Sequence, residues 1–217
     1  MYIQWYGHAC FRLQASNRDT ALVTDPFDPS IGWRLPKLQA DLVTISADQQ
    51  CHNFLDAIKK DAEHPPFIIT GPGEYEAKGI YVYGIPLIKK TKEKKAPYTT
   101  LYSFNIDDIF VGHMSELDRE LTEHELDQLG RIDILLLPVG DKERLDPKTA
   151  VEVISQIEPR IVIPMQYSLP GLKLDQNPID AFLKEYGVKE VEKTDKLKIT
   201  KKDLPTDETK IIALNPA

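Results

Sequence analysis

The sequence predicts a four-layer α/β (α+β) sandwich, in which two β-sheets pack face to face and helices cover their outer surfaces. Two observations support this fold. The first half of the chain is rich in short strand patterns, and the second half contains a strand, a helix and a second strand in succession. Two apolar strands joined by a helix pair in parallel inside a sheet that is covered on both faces. Such sheets require helical layers outside them.

The first half is dominated by predicted strands that are separated by turns. Alternating or continuous apolar residues predict these strands at residues 3–6, 10–14, 21–24, 41–46, 67–70, 75–77 and 80–85. Residues 53–60 have the apolar spacing of a helix, and Asn53 is its predicted N-cap. The sequence Gly71-Pro72-Gly73 marks a turn between two of the strands.

The second half alternates strands with helices. Strands are predicted at residues 100–106, 109–113, 134–139, 161–165 and 210–214. Thr122-Glu123-His124-Glu125 is a capping box that opens a helix ending at Leu129. A second helix covers residues 147–157, with Pro147 near its start, and a third covers residues 177–186 and ends at Gly187. Because no repeat or linker interrupts the pattern, we expect a single domain over residues 1–217.

Composition narrows the class of protein. A chain of 217 residues with 41% hydrophobic and 28% charged residues is typical of a globular domain. No apolar run reaches the ~20 residues of a membrane helix, and the N-terminus lacks a signal-peptide pattern, so we expect a cytoplasmic protein without membrane contact. A net charge of −7 argues against a nucleic-acid partner. The lysine-rich residues 89–95 are interpreted as a solvated loop.

Five short motifs point to a known family. They are Gly7-His8-Ala9-Cys10-Phe11, Thr24-Asp25-Pro26-Phe27, Gly71-Pro72-Gly73-Glu74-Tyr75, Pro138-Val139-Gly140 and Ile163-Pro164-Met165-Gln166-Tyr167. In order and spacing they resemble the metallo-β-lactamase-fold hydrolases, in particular the branch related to the ascorbate-6-phosphate lactonases. The resemblance implies a four-layer αβ/βα sandwich. It also implies an active site in which two zinc or manganese ions activate a bridging hydroxide.

The metal-binding signature of that family is altered in this chain. The signature His-x-His-x-Asp-His falls on Ala47, Gln49, Cys51 and His52, so that His52 alone is unchanged. Ala47 has no donor atom and Gln49 offers a weak amide donor. The third ligand of the first metal ion falls at Lys89, whose ammonium group repels a metal. The resemblance therefore implies that the first metal site is absent.

The second metal site is altered but keeps three ligand types. Cys51 replaces its aspartate, Gln166 replaces its last histidine, and Glu116 stands at the bridging carboxylate. Cys51, His52 and Glu116 could hold one zinc ion in an open tetrahedral site. The alternative is a relic pocket in which Cys51 and His52 only pack.

Two further residues are assigned to the surroundings of this pocket. His8 and Asp48 are expected to line it behind the ligand positions, although His8 equally fits a histidine that satisfies backbone groups. A carboxylate left without its metal needs another cation. We therefore hypothesise that the Lys89 ammonium pairs with Glu116 inside the pocket.

Three functions remain open. The missing ligands favour a catalytically silent member of the superfamily, a pseudoenzyme that needs no cofactor and binds a protein or small-molecule partner. The alternative is a hydrolase of a lactone or phosphoester that uses Cys51, His52 and Glu116, with one zinc ion or, less readily, a cysteine nucleophile. A nucleic-acid processing enzyme is the third possibility, and the acidic charge counts against it.

Overall fold

The computed structural model describes residues 1–17, 19–88, 99–142 and 144–217. Within these residues the strands are β1 Tyr2–Trp5, β2 Phe11–Gln14, β3 Ala21–Thr24, β4 Leu42–Thr44, β5 Phe67–Ile69, β6 Gly73–Ala77, β7 Ile80–Leu87, β8 Thr99–Ile106, β9 Ile109–His113, β10 Ile134–Pro138, β11 Ile161–Met165, β12 Glu192–Thr194, β13 Leu197–Lys198 and β14 Lys210–Leu214. The helices are α1 Glu123–Leu129, α2 Pro147–Ile157 and α3 Asp180–Tyr186, with 3-10 turns at Pro29–Ile31, Leu55–Ala57 and Lys201–Asp203.

The strands form two sheets, which confirms the predicted α/β sandwich. One sheet has the order β13-β1-β2-β3-β4-β5, and the other has the order β12-β14-β11-β10-β9-β8-β7-β6. Strands β3, β4 and β5 run parallel, as do β9, β10 and β11. Because the carboxyl ends of parallel strands meet at one edge of a sheet, each sheet has an edge suited to hold a ligand.

Hydrophobic residues pack on both faces of the first sheet. Leu22 and Leu42 belong to the main core, together with large aromatic side chains such as Trp5. Val23 and Val43, the next residues along the same strands, belong to a second apolar cluster that covers the opposite face. Successive residues of a strand point to opposite faces, so strands β3 and β4 are buried on both sides, as their continuous apolar sequences predict.

The first two helices keep their predicted bounds, whereas the third begins at Asp180 rather than at residue 177. Thr122 accepts a hydrogen bond from the Glu125 amide at 3.3 Å, and the Glu125 carboxylate accepts one from the Thr122 amide at 2.8 Å. This reciprocal pair is the predicted capping box of α1. Asp146 caps α2, which links the parallel strands β10 and β11. Helix α3 ends at Gly187, whose φ of 85° is left-handed.

The predicted helix at residues 53–60 is wrong, because this segment contains only the 3-10 turn Leu55–Ala57. Leu38 donates its amide to the carbonyl of Ala57 and accepts a hydrogen bond from the amide of Lys59, both at 2.8 Å. These bonds hold residues 57–59 in an extended bridge beside Leu38. Asn53 is not a cap, since its side chain donates to Asp48 at 2.7 Å. Among the described residues, no helix has the length and apolar character to span a bilayer.

Candidate metal centre

The altered signature lies where the carboxyl ends of strands from both sheets come together. Asp25 follows β3, residues 46–52 follow β4, Glu116 lies just after β9, and Gln166 follows β11. Arg144 lies in the connection between β10 and α2. Loops at this edge of parallel strands are the usual place for a ligand site in an α/β fold. The fold therefore brings together side chains that are far apart in the sequence.

His52 is fully buried between two carboxylates. Its Nδ1 atom lies 3.0 Å from Oδ2 of Asp25, and its Nε2 atom lies 2.9 Å from Oε1 of Glu116. Burial opposes a charge on His52, but the Asp25 and Glu116 carboxylates raise its pKa well above the usual value. Without a metal ion these carboxylates favour the imidazolium form, and a bound metal ion would replace the proton on the ring nitrogen that it contacts.

Asp25 orders both the loop after β4 and the ring of His52. Its carboxylate accepts hydrogen bonds from the backbone amide and the hydroxyl group of Ser46, both at 2.7 Å. Burial opposes the charge of Asp25, but His52 and Ser46 hold the pKa of the carboxyl below its usual value. Asp25 also has a φ of 39°, a conformation that non-glycine residues rarely adopt. Such strain is common at functional sites.

Three side chains converge into a cluster with the atoms that metal ions bind. Ring nitrogens of His8 and His52 and the Sγ atom of Cys51 lie within 4.8 Å of one another. Burial, together with the neighbouring His52, lowers the pKa of His8 to about 3, so its imidazole is neutral. Neutral imidazole is the form that binds a metal. Both ring nitrogens of His8 are buried and have no hydrogen-bond partner among the described residues, as expected of a ligand position.

The turn after β1 places His8 in this cluster. Gly7 has a φ of 101°, and a Cβ atom there would lie 2.9 Å from the ring of Trp33. His8 itself has a φ of 48°. Its carbonyl accepts hydrogen bonds from the indole of Trp5 at 3.0 Å and from the amide of Gln166 at 3.4 Å. The close approach at Gly7 and these two bonds fix the direction of the imidazole.

Glu116 contacts a second cation besides His52. The guanidinium of Arg144 donates from NH1 to Oε2 of Glu116 at 2.7 Å and from Nε to Oδ2 of Asp141 at 2.8 Å. Burial opposes its charge, but Glu116 and Asp141 raise the pKa of Arg144 above its usual value, so the guanidinium stays charged. The hypothesis that Lys89 pairs with Glu116 concerns a residue outside those that the structure describes. Among the described residues, the non-histidine cation paired with Glu116 is Arg144.

Four other residues were predicted for the site, namely Ala47, Gln49, Gln166 and Asp48. Ala47 is buried and has no ligand atom, and the Gln49 side chain accepts a hydrogen bond from the Cys51 thiol at 3.6 Å. Gln166 is fully buried, and neither polar atom of its amide group has a partner among the described residues. Asp48 is exposed and bonds to Asn53, so the structure does not bring its carboxylate to the cluster.

The residues that are present fit one metal ion rather than two. His8, Cys51 and His52 offer two nitrogens and one sulfur, which is a zinc-binding combination. Zinc bond lengths imply separations of about 3.3–3.7 Å between tetrahedral ligand atoms. The observed spacing of up to 4.8 Å is slightly wider, so ligation would draw the side chains together. A second ion would depend on Ala47, which has no donor.

Comparison with known proteins identifies the family of this chain. The family profile described as "Beta-lactamase superfamily domain" matches residues 2–166. The chain belongs to this family, within the metallo-β-lactamase superfamily. A Thermotoga maritima protein, proposed to be a Zn-dependent hydrolase of that superfamily, has a crystal structure that is 30% identical in sequence, with a TM-score of 0.79. The match covers 98% of this chain and 97% of that one. The branch of the ascorbate-6-phosphate lactonases stays a prediction.

Two archaeal relatives extend the comparison. The UPF0173 protein of Pyrococcus abyssi is 29% identical over 184 residues, which cover 79% of this chain and 85% of the relative. A UPF0173 metal-dependent hydrolase of Thermococcus onnurineus is 26% identical over 195 residues, which cover 76% of this chain and 84% of the relative. Relatives of this chain are thus described as metal-dependent hydrolases.

The prediction of a catalytically silent pseudoenzyme is therefore wrong. The relatives carry the names of metal-dependent hydrolases, and His8, Cys51 and His52 form a group that could hold a metal ion. That prediction rested on the ligands missing from a two-metal site, and it treated their loss as evidence against catalysis. It placed His8 behind the ligand positions, whereas the fold brings this imidazole into the same cluster as Cys51 and His52.

Proposed function

We propose that this protein is a metal-dependent hydrolase that works with one divalent metal ion, with zinc as the best match to its ligands. The observation that carries the proposal is the cluster of His8, Cys51 and His52, whose potential ligand atoms lie within 4.8 Å of one another. A thiolate ligand selects zinc over the oxygen-preferring magnesium and calcium ions. Three protein ligands leave a fourth position open, which is the pattern of catalytic zinc sites.

Asp25 supports the ligand role of His52. Metal-binding histidines usually direct their second ring nitrogen to a carboxylate, which fixes the ring orientation. The contact of 3.0 Å between Nδ1 of His52 and Asp25 has this arrangement, so that Nε2, which lies 2.9 Å from Glu116, is the nitrogen left for a metal ion. The hydrogen bonds from Ser46 to Asp25 hold the carboxylate in place. This pair would orient the ligand before any metal binds.

Glu116 is the residue best placed to handle a proton in this proposal. A bound zinc ion lowers the pKa of water and polarises the carbonyl or phosphoryl group of a substrate. Glu116, predicted from the sequence as a third ligand, lies 2.9 Å from His52 and so borders the cluster. Its carboxylate, paired with Arg144 at 2.7 Å, could accept the proton of the attacking water. Lactones and phosphoesters are the substrate classes to test.

Metal analysis combined with hydrolysis assays tests the proposal. We expect the full chain, purified without chelators, to hold about one zinc ion and to hydrolyse a lactone or a phosphodiester. Chelation should abolish hydrolysis, and added zinc should restore it. Cys51→Ser and His52→Ala should lose the metal. His64→Ala and His124→Ala, which change exposed histidines, are matched controls that should keep it. A wild-type chain without metal after zinc incubation and desalting would contradict the proposal.

A further inference from the structure

Arg144 pairs with Glu116 beside the candidate metal centre, although it is part of no motif that the sequence identifies. Its side chain is only 15% exposed, and its guanidinium pairs with Glu116 at 2.7 Å and with Asp141 at 2.8 Å. Arginine remains charged in proteins, and its planar group holds two carboxylates in a fixed direction. Glu116 is itself fully buried. The guanidinium therefore fixes Oε2 of this buried carboxylate, while the other oxygen, Oε1, lies beside His52.

Glu116 has the chemistry and the position to become a fourth metal ligand. Its Oε1 atom lies 2.9 Å from Nε2 of His52, the ring nitrogen that is not bonded to Asp25. A carboxylate binds zinc readily. With His8, Cys51 and His52 it would complete four protein ligands, and zinc sites closed in this way are structural rather than catalytic. An open position therefore depends on what restrains Glu116.

We propose that Arg144 is a positioning residue that keeps Glu116 out of the metal coordination and so preserves an open position for water or substrate. This inference rests on the proposed one-metal function. Asp141 contributes by anchoring the guanidinium through Nε, which leaves NH1 directed at Oε2 of Glu116. The carboxylate is then oriented beside the cluster, where it is suited to hold a proton.

Removal of the guanidinium should tighten metal binding while it weakens hydrolysis. In Arg144→Gln, Glu116 loses its fixed cation, and a bound zinc ion would supply the missing positive charge. The zinc site gains a ligand and loses a nearby repulsive charge. Changes to groups that hold metal ligands alter metal affinity by about 10–100-fold, and here we expect an increase of that size. A residue with only a structural role would weaken both properties.

The decisive experiment is a zinc titration of the full chain in competition with a chromophoric chelator. Wild type, Arg144→Gln and the double variant Arg144→Gln/Glu116→Gln are compared, with Arg34→Gln, at an exposed arginine, as the matched control. We expect Arg144→Gln to bind zinc about 10–100-fold more tightly than wild type, and the double variant to lose this gain. Arg34→Gln should match wild type.

The same titration separates this inference from the proposed function. If wild type binds zinc and folded Arg144→Gln binds it equally or more weakly, Arg144 does not restrain Glu116. If neither protein binds zinc, both proposals fail. If only Arg144→Gln binds zinc, the restraint is supported and the function is not.

A second variant is used if Arg144→Gln does not fold. Asp141→Asn loosens the same guanidinium, and we expect it to tighten zinc binding by a smaller factor. Unchanged or weaker zinc binding in Asp141→Asn would overturn the inference.

Discussion

The Nδ1 atom of His52 lies 3.0 Å from Oδ2 of Asp25, and both side chains are completely buried. Asp25 directly follows β3, and His52 lies in the segment after β4. The contact links the two loops at the carboxyl edge of the first sheet. Because Nδ1 is bonded to Asp25, Nε2 is the ring nitrogen left for a metal ion, which would have to displace its contact with Glu116.

Asp25→Asn should destabilise the protein and weaken zinc binding. The substitution removes the charge that faces the buried imidazolium, and loss of one member of a buried ion pair costs about 3–5 kcal/mol in the free energy of unfolding. Zinc affinity should fall by about 10–100-fold, since the carboxylate orients a metal ligand. Urea denaturation and zinc titration measure the two effects.

Asp56→Asn is the matched control for this substitution. The Asp56 side chain is 70% exposed and pairs with the exposed Lys60 at 3.6 Å. Exposed pairs of this kind contribute about 0.2–1 kcal/mol, so the free energy of unfolding should change little. Equal losses in the free energy of unfolding for the two substitutions would show that the Asp25–His52 contact stabilises the protein no more than an exposed ion pair does.

Gly7→Ala should be more destabilising than Gly79→Ala. Both glycines have a positive φ, of 101° and 77°, so alanine is strained at either position by about 1–2 kcal/mol. A Cβ atom at Gly79 meets open space, whereas one at Gly7 lies 2.9 Å from the ring of Trp33. The clash should add about 1–3 kcal/mol and displace His8. Thermal unfolding and zinc titration of both variants separate the clash from the backbone strain, and identical behaviour would contradict this prediction.

Glu125→Gln should reduce stability at neutral pH but not at low pH. Burial opposes the charge of Glu125, but the bidentate Arg119 and the Thr122 amide hold its pKa below the usual value. A lowered pKa in the folded state means that the contribution is complete above the unfolded pKa of about 4.3 and is lost as the pH falls through the folded pKa. We expect a difference of about 1.5–3 kcal/mol in the free energy of unfolding at pH 7.

Urea denaturation of wild type and Glu125→Gln at pH 7 and below pH 4 measures this change. Glu123→Gln makes the same charge change in the same helical turn at an exposed position, and its effect should stay within about 1 kcal/mol at both pH values. A stability difference for Glu125→Gln that persists unchanged in acid would mean that hydrogen bonding alone, without charge, stabilises the start of α1.

The sequence predicts local features well because their partners are close along the chain. The capping box joins Thr122 to Glu125, three residues apart. The left-handed conformation that ends α3 is adopted by a single residue, Gly187. The helix predicted at residues 53–60 fails for the opposite reason. Its backbone groups pair with Leu38, and no local pattern in residues 53–60 indicates that partner.

The candidate site was predictable only in part, and for the same reason. Cys51 and His52 stand within a recognisable signature, so their position could be inferred. Arg144 lies 28 residues from Glu116, in a connection without a motif, and only the packing of the strands brings the two side chains together. Asp25 stands in one of the five motifs, but its contact with His52 depends on the pairing of β3 with β4.

Thiol labelling gives a test of the metal centre that does not require a substrate. Cys51 is half-buried, whereas Cys10 is fully buried and burial raises its thiol pKa. Since the thiolate is the reactive form, we expect iodoacetamide to label Cys51 in the folded chain and Cys10 only in denaturant. Zinc should slow the labelling of Cys51 because a metal-bound thiolate cannot attack, whereas magnesium, which prefers oxygen ligands, should not. Peptide mass spectrometry measures the rates, and equal rates with and without zinc would remove Cys51 from the proposed ligand set.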